Sequence, residues 1–237
     1  KLPGVSDLIR EAGDPVDPDL IHKAITHMKQ SLGLLMKPSL INIINNLEIS
    51  GPYSPDAEHA GQRALKNTAL ELLAVGGNEE IIKKVEAQYD ASSNMTDSVA
   101  ALSILTHIEC QERDRVFSDF HDKWQDDPLV LDKWFALQAC SYLETTLERV
   151  EGLLSHPGFS HKNPNRVRAL IGSFASANPV QFNRADGKGF EFMAEQILII
   201  DTINPQIAAR LSACFKNWKM LEPVRSQKAY EALERIC

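Results

Sequence analysis

Three times in its last third the chain sets Asn-Pro before an apolar stretch. "NPNRVRALIGSFASANPVQF" holds two of the pairs and "NPQIAARLSACF" the third. An asparagine oxygen accepts a backbone N–H from the first turn of a helix. The proline after it has its φ preset and lacks an N–H that would be orphaned at that position anyway. Asn163, Asn178 and Asn204 are therefore read as helix caps, and the segment after each of them as helix.

The rest of the chain carries the same period. "DPDLIHKAITHMKQSLGLLM" spaces its apolar residues three and four apart, behind a Pro18 suited to a first turn. "GQRALKNTALELLAVGG" repeats the pattern and stops at Gly76-Gly77. "NEEIIKKVEAQYDAS" puts acids in its first turn, where the helix dipole favours them. "NMTDSVAALSILTHIE" is read with Thr96 as its cap. "ERDRVFSDFHDKW", "DPLVLDKWFALQACSY" and "ETTLERVEGLLSH" complete the middle, and "EISGPYSPDAEHAG" reads as a loop. No stretch alternates over a strand's length. Helical segments with short polar breaks and no fixed period predict an all-α fold. The expected architecture is an irregular α-solenoid, a superhelical array of antiparallel helix pairs, in a single helical domain over residues 1–237.

Composition narrows the function. Of 237 residues, 43% are hydrophobic and 24% charged, enough to build a core. The net charge of -7 argues against nucleic acid and anionic membrane as partners, because both reward surplus Lys and Arg. No stretch is long and apolar enough to cross a bilayer. Cys110, Cys140, Cys214 and Cys237 are widely spaced without a C-x-x-C, and are read as reduced thiols of a cytoplasmic protein. The chain opens without methionine, so a piece of something longer is expected.

The seven histidines supply no catalytic pattern. His22 and His27 are five apart and share no helix face, and no pair has the H-E-x-x-H spacing of zinc peptidases. His107, Glu109 and Cys110 in "HIEC" are read as ordinary helix, since residues two apart diverge there. There is no G-x-S-x-G, dinucleotide fingerprint or P-loop, and "DGKG" is read as a turn. Trp124 and Trp134, in twin "DKW" triplets, are read as core.

The arginines beside the apolar stripes remain. Val167, Leu170, Ile171 and Phe174 form one stripe, and Arg166 and Arg168 flank it on opposite sides, so the two cannot do one job. Ile207, Leu211, Cys214, Phe215 and Trp218 form another, with Arg210 at its edge. Spacing leaves two readings open. One is a snorkelling or ion-paired side chain. The other is a cation held toward a cavity, suited to a carboxylate or peptide carbonyl.

"SSNMTDSVAALS", "DPLVLDKWFALQA", "NPNRVRALIGSFASANPVQF" and "NPQIAARL", in this order, resemble the C-terminal helical domain of bacterial-type aminopeptidase N, a zinc metallopeptidase family. "GQRALKNTALELLA" and "LPGVSDLI" fit as well, so the likeness covers nearly the whole chain. The resemblance implies a cap that closes over the active site of an enzyme removing N-terminal residues from peptides. It implies zinc held by a catalytic domain of the same polypeptide, outside this segment, with no catalytic residue and no metal here. It also implies that Arg168, Gln206 and Arg210 bind the substrate beyond the cleaved bond, while Arg166 is structural. The expected partners are that catalytic domain and peptides, in a monomer. Family members continue past "YEALERIC", so a further helical tail is expected. The alternative is a freestanding helical-repeat scaffold that binds a protein or peptide.

Overall fold

The computed structural model describes residues 2, 4–47 and 53–237. Fifteen α-helices occur among them. In chain order the first are α1 (Val5–Glu11), α2 (Pro18–Leu35), α3 (Lys37–Asn46), α4 (Ala57–Ala74), α5 (Glu79–Ala91), α6 (Met95–Leu105), α7 (Gln111–Trp124) and α8 (Pro128–Ala139). After them come α9 (Thr146–Leu153), α10 (Pro164–Val167), α11 (Ser173–Ala177), α12 (Pro179–Phe182), α13 (Lys188–Asp201), α14 (Pro205–Ser212) and α15 (Pro223–Ile236). A π-turn, Arg168–Gly172, joins α10 to α11, and a 3-10 helix, Ala213–Met220, extends α14. No strand occurs among the described residues. A single parallel bridge ties Val16 to Leu221, with the Val16 N–H donating to the Met220 carbonyl at 2.7 Å. The fold is all-α, as the periodicity predicts.

The three Asn-Pro starts are present. Asn163 Oδ1 accepts from the Asn165 N–H at 3.0 Å, Asn178 Oδ1 from Gln181 at 3.1 Å, and Asn204 Oδ1 from Ile207 at 3.3 Å. Each proline stands at the first position of its helix.

Elsewhere the sequence reading needs correction. The cap of α6 is Asn94, which accepts from the Asp97 N–H at 3.0 Å, and Thr96 lies inside the first turn. An acceptor three residues before the orphan N–H satisfies it directly, so the earlier residue wins. The loop expected over 48–61 ends sooner, because Asp56 accepts from the His59 N–H and starts α4 at Ala57. Residues 48–52 of that loop lie outside the described residues. "HIEC" is a turn after α6, and Cys110 stands outside any helix. Helices α3, α13 and α15 carry no expectation from the sequence, although Pro38 and Pro223 sit in the first turns of two of them.

The chain divides into two compact units. The first comprises residues 1–23 and 124–237. Its core gathers Phe135, Leu170, Ile171, Phe174, Met193 and Ile200, none with any exposure. Burying a side chain of that size contributes roughly 1.5–3 kcal/mol. Here α13 packs on α14 and α15, and α8 on the π-turn. Gly189 begins this packing: a Cβ there would stand 2.3 Å from the Phe182 carbonyl oxygen, so only glycine fits. The second unit comprises residues 24–123, with Val85, Leu102, Leu105, Val116 and Phe120 fully buried. Within it α3 packs on α4 and α5 on α6.

Candidate functional site

Arg166 and Arg168 separate as the helical wheel requires. Arg166 is buried, with its guanidinium donating to the Gly158 and Pro128 carbonyls at 2.8 Å each and pairing with Asp132. It also lies over the Phe135 ring, 5.6 Å from the centroid. The guanidinium is held within the unit from several sides, so it is a structural tie between α8 and α10. Arg168 points the other way and is exposed, with Nη1 3.4 Å from Asn165 Oδ1.

Arg168 opens the π-turn. The Ser173 N–H reaches back five residues to the Arg168 carbonyl. The wider turn accommodates one residue more than an α-helix would, and it changes the phase between the two ends of the run. Its last residue, Gly172, and the subsequent Ala175 and Ser176 face a cavity of about 440 Å³ within the first unit.

The cavity is completed by segments far apart in sequence. Arg210 and Leu211 come from the end of α14, Cys214, Lys216 and Trp218 from the 3-10 helix, and Asp7 and Arg10 from α1. Phe182, Phe190 and Phe215 pack against one another with ring centroids 5.2–6.0 Å apart and form its apolar floor. Burial pushes the Cys214 thiol up to about 12, so it stays protonated at neutral pH and behaves as a small apolar group. Asp7 and Arg10 form an exposed ion pair at 2.5 Å.

Of the three residues singled out from the sequence, Arg210 lines the cavity, whereas Arg168 and Gln206 do not. Gln206 and Arg210 are both exposed and four residues apart on α14, hence on one face. Arg210 has no ion-pair or hydrogen-bond partner among the described residues. The same is true of Lys216, which sequence reasoning missed. No spacing signal marks Lys216, because the α period ends where the 3-10 helix begins at Ala213.

Among the described residues no group of three His, Cys, Asp or Glu side chains is placed to hold a metal. No helix among them is long and apolar enough to cross a membrane.

A family model described as "Domain of unknown function (DUF3458_C) ARM repeats" matches residues 1–237. Aminopeptidase N of Caulobacter vibrioides is 36% identical over 237 residues, which is 99% of this chain and 27% of that protein. Aminopeptidase N of Escherichia coli is 36% identical over 235 residues, again 99% of this chain and 27% of the relative. Among solved structures, Legionella pneumophila aminopeptidase A in complex with aspartic acid superposes on the whole chain with a TM-score of 0.90. It is 31% identical, and 28% of its own chain is covered. This chain thus spans about a quarter of the length of the curated relatives it matches.

Proposed function

The chain belongs to the DUF3458_C family of ARM repeats, as the C-terminal helical domain of bacterial-type aminopeptidase N, and on that premise we propose that it caps the active site of a larger aminopeptidase. In this reading the parent removes N-terminal residues from peptides. The bond-breaking chemistry, including any zinc, belongs to polypeptide outside this segment. Among the described residues no cluster of side chains fits a metal centre. The role of this segment is to limit access and to hold the part of the peptide beyond the cleaved bond.

The observation that carries the reading is Arg210. It is an exposed guanidinium at the wall of an apolar-floored cavity, with no acidic partner among the described residues. A structural arginine looks like Arg166, buried and paired. A guanidinium left open offers a planar fork of donors that fits a peptide carbonyl or carboxylate. Gln206 shares its helix face and adds an amide that can donate and accept. Arg168, exposed at the start of the π-turn, is proposed for the same role.

Kinetics of the full-length parent test it. Arg210→Ala and Arg168→Ala are expected to raise KM for tri- and tetrapeptides about tenfold, and to do less to a single-residue aryl amide, which has nothing downstream to hold. Equal losses on both substrates would remove the downstream-binding role.

A further inference from the structure

Helix α13 changes character along its length. Its outer stripe opens with Lys188, Glu191 and Glu195, the polar face of an ordinary surface helix. It then enters residues 197–200, "ILII", where every side chain is aliphatic. Ile197 and Ile200 are buried, at 2% and 0% exposure, while Leu198, Ile199 and the following Ile203 are open at 40%, 38% and 41%. A helical turn that is apolar on every side belongs where it is covered on every side. Here the inner side meets the core of the first unit and the outer side meets solvent. The three open residues form one ridge, with Ile203 four residues after Ile199 and Leu198 beside it.

The charges around the ridge indicate what covers it. Glu195 lies four residues before Ile199, Glu191 four before that, and Asp201 three after Leu198. All three carboxylates are exposed, none has an ionic partner among the described residues, and no base follows Lys188 on the helix. A second copy is the wrong occupant, since a two-fold contact would set these carboxylates against their own counterparts. A separate protein is also disfavoured. A stable complex buries about 800 Å² on each partner, far more than a few side chains on one helix offer. A contact this small holds when both surfaces sit on one polypeptide, where the tether raises the effective concentration. The chain spans about a quarter of the length of the relatives it matches, so a parent of that size has the polypeptide to supply it.

We propose that the outer ridge of α13 is a seam against the rest of the parent polypeptide, and that the covering segment presents an aliphatic face flanked by Lys or Arg. The inference rests on the reading of this chain as one domain of a larger aminopeptidase. It goes beyond that reading by naming the surface and the chemistry of the contact.

The experiment labels the carboxylates of the full-length parent with a water-soluble carbodiimide and glycine ethyl ester, and reads each site by mass spectrometry. A synthetic peptide of residues 188–204 sets the rate for uncovered side chains. In the parent, Glu191, Glu195 and Asp201 are expected to label at least about threefold more slowly, the protection of one ion pair at the rim of an interface. Ile199→Asn removes part of the aliphatic contact and Glu195→Lys sets like charge against the basic flank. Each is expected to return the remaining carboxylates to the peptide's rate. Three results overturn the proposal. One is labelling of the wild-type parent less than about threefold slower than the peptide. Another is protection that both substitutions leave intact. The third is protection that falls as the parent is diluted, which would assign the cover to a second molecule. None of these bears on the Arg210→Ala comparison of peptide with aryl amide, so the seam and the cap role fail separately.

Discussion

The run that starts at Asn163-Pro164 buries its face completely. Val167, Leu170, Ile171 and Phe174 have no exposure at all. The helix that starts at Asn204-Pro205 has one buried residue, Ala208. Both open with the same two residues, both cap through the asparagine oxygen, and both carry arginines at the edge of an apolar stripe. The first lies against α8 and closes its buried arginine onto Asp132. The second packs on α13 on one side and leaves Arg210 at a cavity on the other. The start of a helix is a local matter of a few atoms. How deep the helix lies, and which of its cations becomes structural, depends on what the rest of the chain brings beside it.

Four substitutions sharpen the contrast. Arg166→Ala is expected to cost the most, about 3–5 kcal/mol, because it strands the half-buried Asp132 and two carbonyls. Hydrogen exchange over residues 163–177 of the parent polypeptide would show the loss as faster amide exchange. Next comes Asn178→Ala at about 2–3 kcal/mol, measured by the same exchange over residues 178–182. Asn178 is fully buried and donates to the Ala139 and Ser141 carbonyls at 2.9 and 2.5 Å as well as capping Gln181. Asn204→Ala removes a cap and little else, for about 1 kcal/mol, readable in exchange over residues 205–212. Arg210→Ala should change stability by under about 0.5 kcal/mol while raising peptide KM. If Arg166→Ala and Arg210→Ala proved equally destabilising, the division into a structural and an open arginine would fail.

Much of the fold was legible because its signals are short-range. Asn-Pro at a helix start, Gly77 at φ 67 after α4, and acids at the head of α5 act within one turn. The errors have physical reasons as well. Thr96 and Asn94 are both good caps, and the choice between them is fixed by which one the chain leaves extended. The twin tryptophans look alike in sequence, yet Trp134 is 8% exposed and Trp124 is only half-buried. The expected α stripe from Ile207 to Trp218 tightens into a 3-10 helix at Ala213, which turns Lys216 toward the cavity wall with Arg210. A period of 3.6 cannot anticipate that turn.

The sequence by itself determined that this chain is helical, where several of its helices begin, and that Arg166 and Arg168 must face apart. Hydrogen bonds and side-chain spacing within a few residues are enough to set all three. Only the tertiary structure decided which arginine is tied and which is open. Arg166 meets Asp132, thirty-four residues earlier, and the cavity at Arg210 joins Asp7 of α1 to Leu221 near the other end. Contacts over such distances depend on how every intervening helix packs, and no local spacing encodes them.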